Sequence, residues 1–164
     1  MKLPEYLSPY QFQKLVRHMP TNMTKDMITV MYVFALRISE LCNLTKSDID
    51  WYHETITING KGSKIRQLPI TENVKDILYR ACMRPGKLFN VEVRTFRNYV
   101  YHASLKAGME RVNPHMVRHT RATHLMNSGV QLHDIKAIMR HESISSTLIY
   151  THVALDRMRD IMQI

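Results

Sequence analysis

Apolar positions recur at helical spacing along most of this chain and alternate in only one short stretch. Phe12, Leu15, Val16 and Met19 fall three and four residues apart, the stripe of one helix face. Ahead of them Ser8-Pro9-Tyr10-Gln11 reads as a helix start, with a serine cap, proline at the first helical position and Gln11 placed to reach back in a capping box. Pro20 ends the run. Thr24 is expected to cap a second helix in which Met27, Ile28, Val30, Met31, Val33 and Phe34 leave almost no polar face. Such a helix belongs at the centre of the core. Arg37 follows at its end, and Glu40 stands at the start of a short third helix.

The pattern changes at Asp48. Ile49 and Trp51, then Thr55-Ile56-Thr57-Ile58, then Ile65-Arg66-Gln67-Leu68-Pro69-Ile70 are short β-leaning runs. Gly60-Lys61-Gly62-Ser63 between the last two is a hairpin turn, and Pro69 places its run at a sheet edge. From Thr71 the helical period returns: Glu72 to Met83, Thr95 to Lys106 ended by Gly108, Pro114 to Asn127 ended by Gly129, Leu132 to Met139, and Ser143 to Tyr150. A last amphipathic stretch runs from Leu155 to Ile164. The expected fold is mostly α with a small antiparallel β-sheet (α+β), one domain over residues 1–164 with no internal repeat.

Charge narrows the choice of partner. Lys plus Arg number 23 against 14 for Asp plus Glu, a net +9 that calls for a polyanion, either nucleic acid or an acidic membrane surface. The most apolar run, Met27 to Leu36, is too short to span a bilayer, and Met1 to Tyr6 shows no secretion signal. Cys42 and Cys82 lie far apart with no Cys-x-x-Cys pairing, as expected of reduced, buried thiols in a cytoplasmic protein.

Several residues suit phosphodiester chemistry. A guanidinium fork binds two phosphate oxygens at once, and Arg37 and Arg118 are the arginines proposed for it. Arg37 follows the most apolar helix, where a charge needs a partner or an anion, and Glu40 three residues on can orient it without touching substrate. His115 and Arg118 share one helix face, and a histidine there can donate to a phosphate oxygen or take a proton near neutral pH. His115 and His119 also have the spacing of a zinc motif. Met116 occupies the place of its glutamate and no third ligand is well spaced, so no metal and no cofactor are expected. His119 and His124 are read as structural.

In chain order Arg37, Lys61, His115, Arg118, His141 and Tyr150 resemble the catalytic signature of the tyrosine recombinases, the phage-integrase and Xer-like family. The likeness runs from about Leu7 to Val153, with intervals close to the family's spacing. It implies a catalytic domain that breaks and rejoins duplex DNA. Tyr150, one of eight tyrosines, is singled out by its place after His141 and before Thr151-His152-Val153. The resemblance makes it the nucleophile that forms a 3′-phosphotyrosyl link, resealed by a 5′-hydroxyl of a partner strand without metal or ATP. It makes Lys61 the general acid for the leaving 5′-oxygen. Lys64, Arg66, Arg94, Arg97 and Arg140 are assigned to DNA contact. It further implies a monomer off DNA, a homo-tetramer on paired sites, and a location on DNA in the cytoplasm.

Three departures from the family stand out. Ala35 occupies a position two before the first arginine where glycine is common, and Arg140 one just before the second histidine where glycine is usual. The N-terminal helical domain that clamps the opposite face of DNA is not in this sequence, so the chain is either the catalytic part of a longer protein or a minimal member. The tail from Leu155 is expected either to dock on a neighbouring protomer or to pack on its own domain. The rival functions are a basic helical DNA-binding protein that has lost catalysis and a type IB topoisomerase-like enzyme.

Overall fold

The computed structural model describes residues 6–62, 64–139 and 152–163. Helix α1, Pro9–His18, starts as its sequence dictates: the Gln11 amide donates to Ser8 Oγ at 3.2 Å, and the Ser8 amide donates to Gln11 Oε1 at 2.8 Å. Helix α2, Asn22–Val33, is the central one, packed against its neighbours on several sides with Met27, Ile28, Val30 and Met31 fully buried. Its cap is Thr21, three residues earlier than expected, and Thr24 sits at the third helical position as the other half of a reciprocal box.

The end of α2 has consequences for everything downstream. The Leu36 amide donates to Met31 O at 2.9 Å and the Ala35 amide to Tyr32 O at 3.1 Å, the paired bonds of a Schellman motif. That motif needs a left-handed residue, and Ala35 supplies it at φ 49° while fully buried. Helices α5, Val93–Lys106, and α6, Pro114–Asn127, end in the same paired pattern, but with Gly108 and Gly129 in that place. Between α2 and these lie α3, Ile38–Asn43, a 3-10 turn at Lys46–Asp48 and the sheet.

Among the described residues the sheet has three antiparallel strands in sequence order, β1 (Ile49–Asp50), β2 (Thr55–Asn59) and β3 (Ile65–Pro69), and Pro69 lies on an edge strand of these three. Ile56 pairs with Leu68 and Ile58 with Arg66, and all four side chains are buried. Strand side chains alternate, so the register that turns Leu68 into the core also turns Arg66 inward and leaves Ile65 exposed. Helices α4 (Glu72–Cys82) and α7 (Leu132–Met139) complete the body with α5 and α6. Cys42 is buried, whereas Cys82 is only half-buried, and both thiols are free. Burial pushes the Cys42 thiol up, opposed by Lys87.

The tail forms helix α8, His152–Met162, which contacts β3 of the same chain. Met158 and Met162 are buried, and Arg159 donates to Ile70 O at 3.0 Å and to Glu54 at 3.2 Å. Helix α6 ties both ends of the described chain together. Thr120 Oγ1 accepts from the Leu7 amide at 3.0 Å, and Arg121 donates to Met162 O at 2.8 Å. His124 Nε2 lies 2.8 Å from Leu7 O and so must donate to it, which leaves Nδ1 to accept from the Tyr32 hydroxyl at 2.7 Å. His124 is structural, as its sequence context suggests. No described helix is long and apolar enough to cross a membrane.

Candidate active site

Arg37 occupies the N-cap of α3, directly after the left-handed turn at Ala35. Its side chain makes no cap. The Glu40 carboxylate does, accepting from the Arg37 amide at 2.8 Å through Oε2 and from the Arg37 guanidinium at 3.3 Å through Oε1. Glu40 thus orients Arg37 as expected, holding it from within while the guanidinium stays 44% exposed.

Arg118, on the second turn of α6, is only 3% exposed. It donates to Ala35 O from one nitrogen and to Met139 O from another, so it spans the α2–α3 junction and the last residue of α7. The Glu40 carboxylate is 3.9 Å away. Burial is the main cause that lowers the Arg118 pKa to about 10, and repulsion from Arg66 and Arg37 adds to it while Glu40 opposes. At neutral pH the group is still charged.

Arg66 corrects the sequence-based assignment. It was expected on the DNA backbone, but it is 3% exposed, and in this position it cannot reach a macromolecule. It donates to Met139 O at 3.0 Å, to Phe34 O at 3.4 Å and to Glu40 Oε2 at 3.2 Å. The inward phase of β3 was the available signal: with Leu68 in the core, the residue two before it follows. Among the described residues three arginines therefore surround one carboxylate, a formal charge of 3 − 1 = +2. Desolvated excess charge of that kind favours an anion.

The place for one is adjacent. A cleft of about 230 Å³ is lined by Met31, Leu36, Arg37, Ile38, Ser39, His115 and Arg118. His115 is exposed on the first turn of α6, where Asn113 caps the helix by accepting from the Met116 amide at 2.9 Å. That turn carries the positive end of the helix dipole. Of the six residues expected to act together, the structure thus brings Arg37, His115 and Arg118 to one cleft. Lys61 stands exposed at the hairpin tip between β2 and β3, outside the lining of that cleft, with Gly62 at φ 75° and the Gly60 amide donating to Lys64 O at 2.8 Å. His141, Tyr150 and Arg140 lie outside the described residues. Lys64 is exposed on the same tip. Arg94 and Arg97 are exposed on the first turns of α5 and line a second, wider cleft of about 670 Å³ with Lys87 and Asn43.

Comparison with known proteins bears on the family of the chain. The family model described as phage integrase family matches residues 5–157. The chain is 32% identical to the tyrosine recombinase XerD of Yersinia pestis, covering 99% of this chain and 62% of the relative. It is 30% identical to XerC of Staphylococcus aureus strain JH9, covering 97% and 60% respectively. The chain therefore spans about three fifths of the length of these curated relatives. Among solved structures, the integrase of mycobacterium phage Brujita superposes with a TM-score of 0.84 at 27% identity, over 99% of this chain and 58% of that one.

Proposed function

The chain belongs to the phage integrase family, and on that premise we propose that it is the catalytic domain of a tyrosine site-specific recombinase or integrase acting on duplex DNA. The observation that carries the proposal is the cleft in which Arg37, His115 and the buried Arg118 meet beside a carboxylate that cannot neutralise them all. Preorganised donors of this kind stabilise charge where it develops, at the non-bridging oxygens of a phosphodiester under attack.

In the proposed reaction the Tyr150 oxygen attacks the scissile phosphorus, and the bond to the 5′-oxygen breaks. His115 donates to a phosphate oxygen or receives the phenolic proton. A phenol has a pKa of about 10, so the cations around the phosphate must lower the cost of losing it. Lys61 supplies the proton that the departing 5′-oxygen takes up, and His141 completes the set around the phosphate. The 3′-phosphotyrosyl link keeps the bond energy, so a partner strand's 5′-hydroxyl reverses the step with neither metal nor ATP. Lys64, Arg94, Arg97 and Arg140 contact the DNA backbone. Exchange then requires four protomers on two paired duplexes, assembled from monomers.

The test is covalent capture. DNA fragments selected for binding, nicked near the cleavage point, should yield an SDS-resistant adduct in the presence of a chelator. Tyr150→Phe should abolish the adduct and leave DNA binding largely intact. An adduct that survives in that variant, or one that requires magnesium, would overturn the mechanism.

A further inference from the structure

We infer that Arg66 is a positioning residue for the reaction, one that touches no substrate but fixes the charge and place of the arginines that do. The inference rests on the proposed cleavage chemistry. Arg66 sits on the inward face of β3 opposite Ile58, a position where an apolar side chain would complete the core without desolvating a charge. What the guanidinium provides is a set of bonds that no apolar residue could make.

Those bonds reach each part of the phosphate cleft from behind. Through Phe34 O, Arg66 holds the turn just before Ala35, whose own carbonyl accepts from Arg118. Through Met139 O, it shares an acceptor with Arg118 itself. Through Glu40 Oε2, at 3.2 Å, it binds the oxygen that also caps the Arg37 amide and lies 3.9 Å from Arg118.

The last contact bears most on the chemistry. With Arg66 present, Glu40 Oε2 has two donors, and Arg118 stays beyond hydrogen-bond reach of it. With Arg66 gone, Arg118 Nη1, which donates to Ala35 O and lies 3.9 Å from that oxygen, can close the gap, and doing so turns the guanidinium inward, off the cleft. Among the described residues the net charge beside the phosphate falls at the same time, from 3 − 1 = +2 to 2 − 1 = +1.

The experiment compares wild type, Arg66→Met and Arg66→Lys on a nicked duplex, measuring DNA affinity, single-turnover cleavage at saturating protein, and thermal unfolding. Arg66→Met should cleave about 10- to 100-fold more slowly, less than for a donor in direct contact, with affinity within about threefold. Arg66→Lys keeps one charged contact of the three and should fall between. A scissile methylphosphonate, which carries no charge on its non-bridging oxygen, should shrink the Arg66→Met defect; a merely structural defect would persist unchanged. In a Glu40→Gln background, the added loss from Arg66→Met should also shrink.

Cleavage by Arg66→Met within about twofold of wild type would overturn the inference, as would weaker DNA binding with an unchanged saturated rate. If Arg66→Met does not fold, Arg66→Lys decides: a folded lysine variant that cleaves as wild type removes any need for the fork. Failure of the wild type itself to form an adduct would instead refute the proposed function.

Discussion

The molecule holds its cations in two opposite ways. In the nest around Glu40, Arg66 and Arg118 are each 3% exposed and each bonded to carbonyls of two different elements, so each is held from two sides. At the hairpin tip, Lys61 and Lys64 are exposed, and among the described residues neither ammonium has a hydrogen-bond or ion-pair partner. The division follows the two tasks proposed for them. Charge stabilisation is worth most when its donors are in place before the charge develops. A proton donor must instead meet an oxygen that is leaving, which suits a point charge on a flexible stem.

The severest way to break this contrast is to remove the carboxylate. Glu40→Ala removes the carboxylate shared by three guanidinium groups, two of them buried, and should cost about 3–5 kcal/mol of stability together with cleavage. Urea unfolding at the wild-type midpoint would show that Glu40 does not hold the nest. Lys61→Ala should do the reverse, leaving stability within about 0.5 kcal/mol while slowing cleavage by roughly 10²–10⁴. A 5′-phosphorothiolate leaves without protonation, so it should rescue Lys61→Ala but not Arg37→Ala or Arg118→Ala; equal rescue of all three would erase the distinction.

The buried side also carries a pH signature. The Arg118 pKa in the folded protein is lowered to about 10, chiefly by burial. Above that value the unfolded chain still keeps a proton that the folded one has released, so this group's contribution to stability improves as pH rises through it. Relative to Arg118→Met, wild type should gain about 1 kcal/mol between about pH 9 and 11. A constant difference would mean that Arg118 is not desolvated. The smallest effect expected is at the turn before the nest. Ala35→Gly relieves the left-handed conformation and should stabilise by about 0.5–1 kcal/mol without changing the cleavage rate. Destabilisation would show that the methyl group's packing outweighs its backbone cost.

What could be read in the sequence was what local chemistry decides. Ser8 and Gln11 define a helix start within four residues, and Gly129 ends α6 where expected, because cap and turn need no distant partner. Thr24 misled for a related reason: two threonines three apart cap each other, and nothing within that segment says which is outermost. Arg66 was misplaced because an arginine beside a glycine-rich turn is ordinarily solvated. Only the strand's phase, together with carbonyls 32 and 73 residues away, makes its burial tolerable. The link between Arg37 and Glu40 was visible as an i, i+3 pair; the convergence of Arg118 and Arg66 on the same carboxylate was not, since it depends on how β3 and α6 meet.

Helix α6 has a mechanical consequence. Thr120 and His124 bond to the chain at Leu7, Arg121 bonds to it at Met162, and His115 and Arg118 stand on the same rod within about two turns toward its N-terminal end. The bonds at Leu7 and at Met162 therefore meet within residues 120–124 of one helix, so a displacement of either partner is passed to the rod that also carries His115 and Arg118.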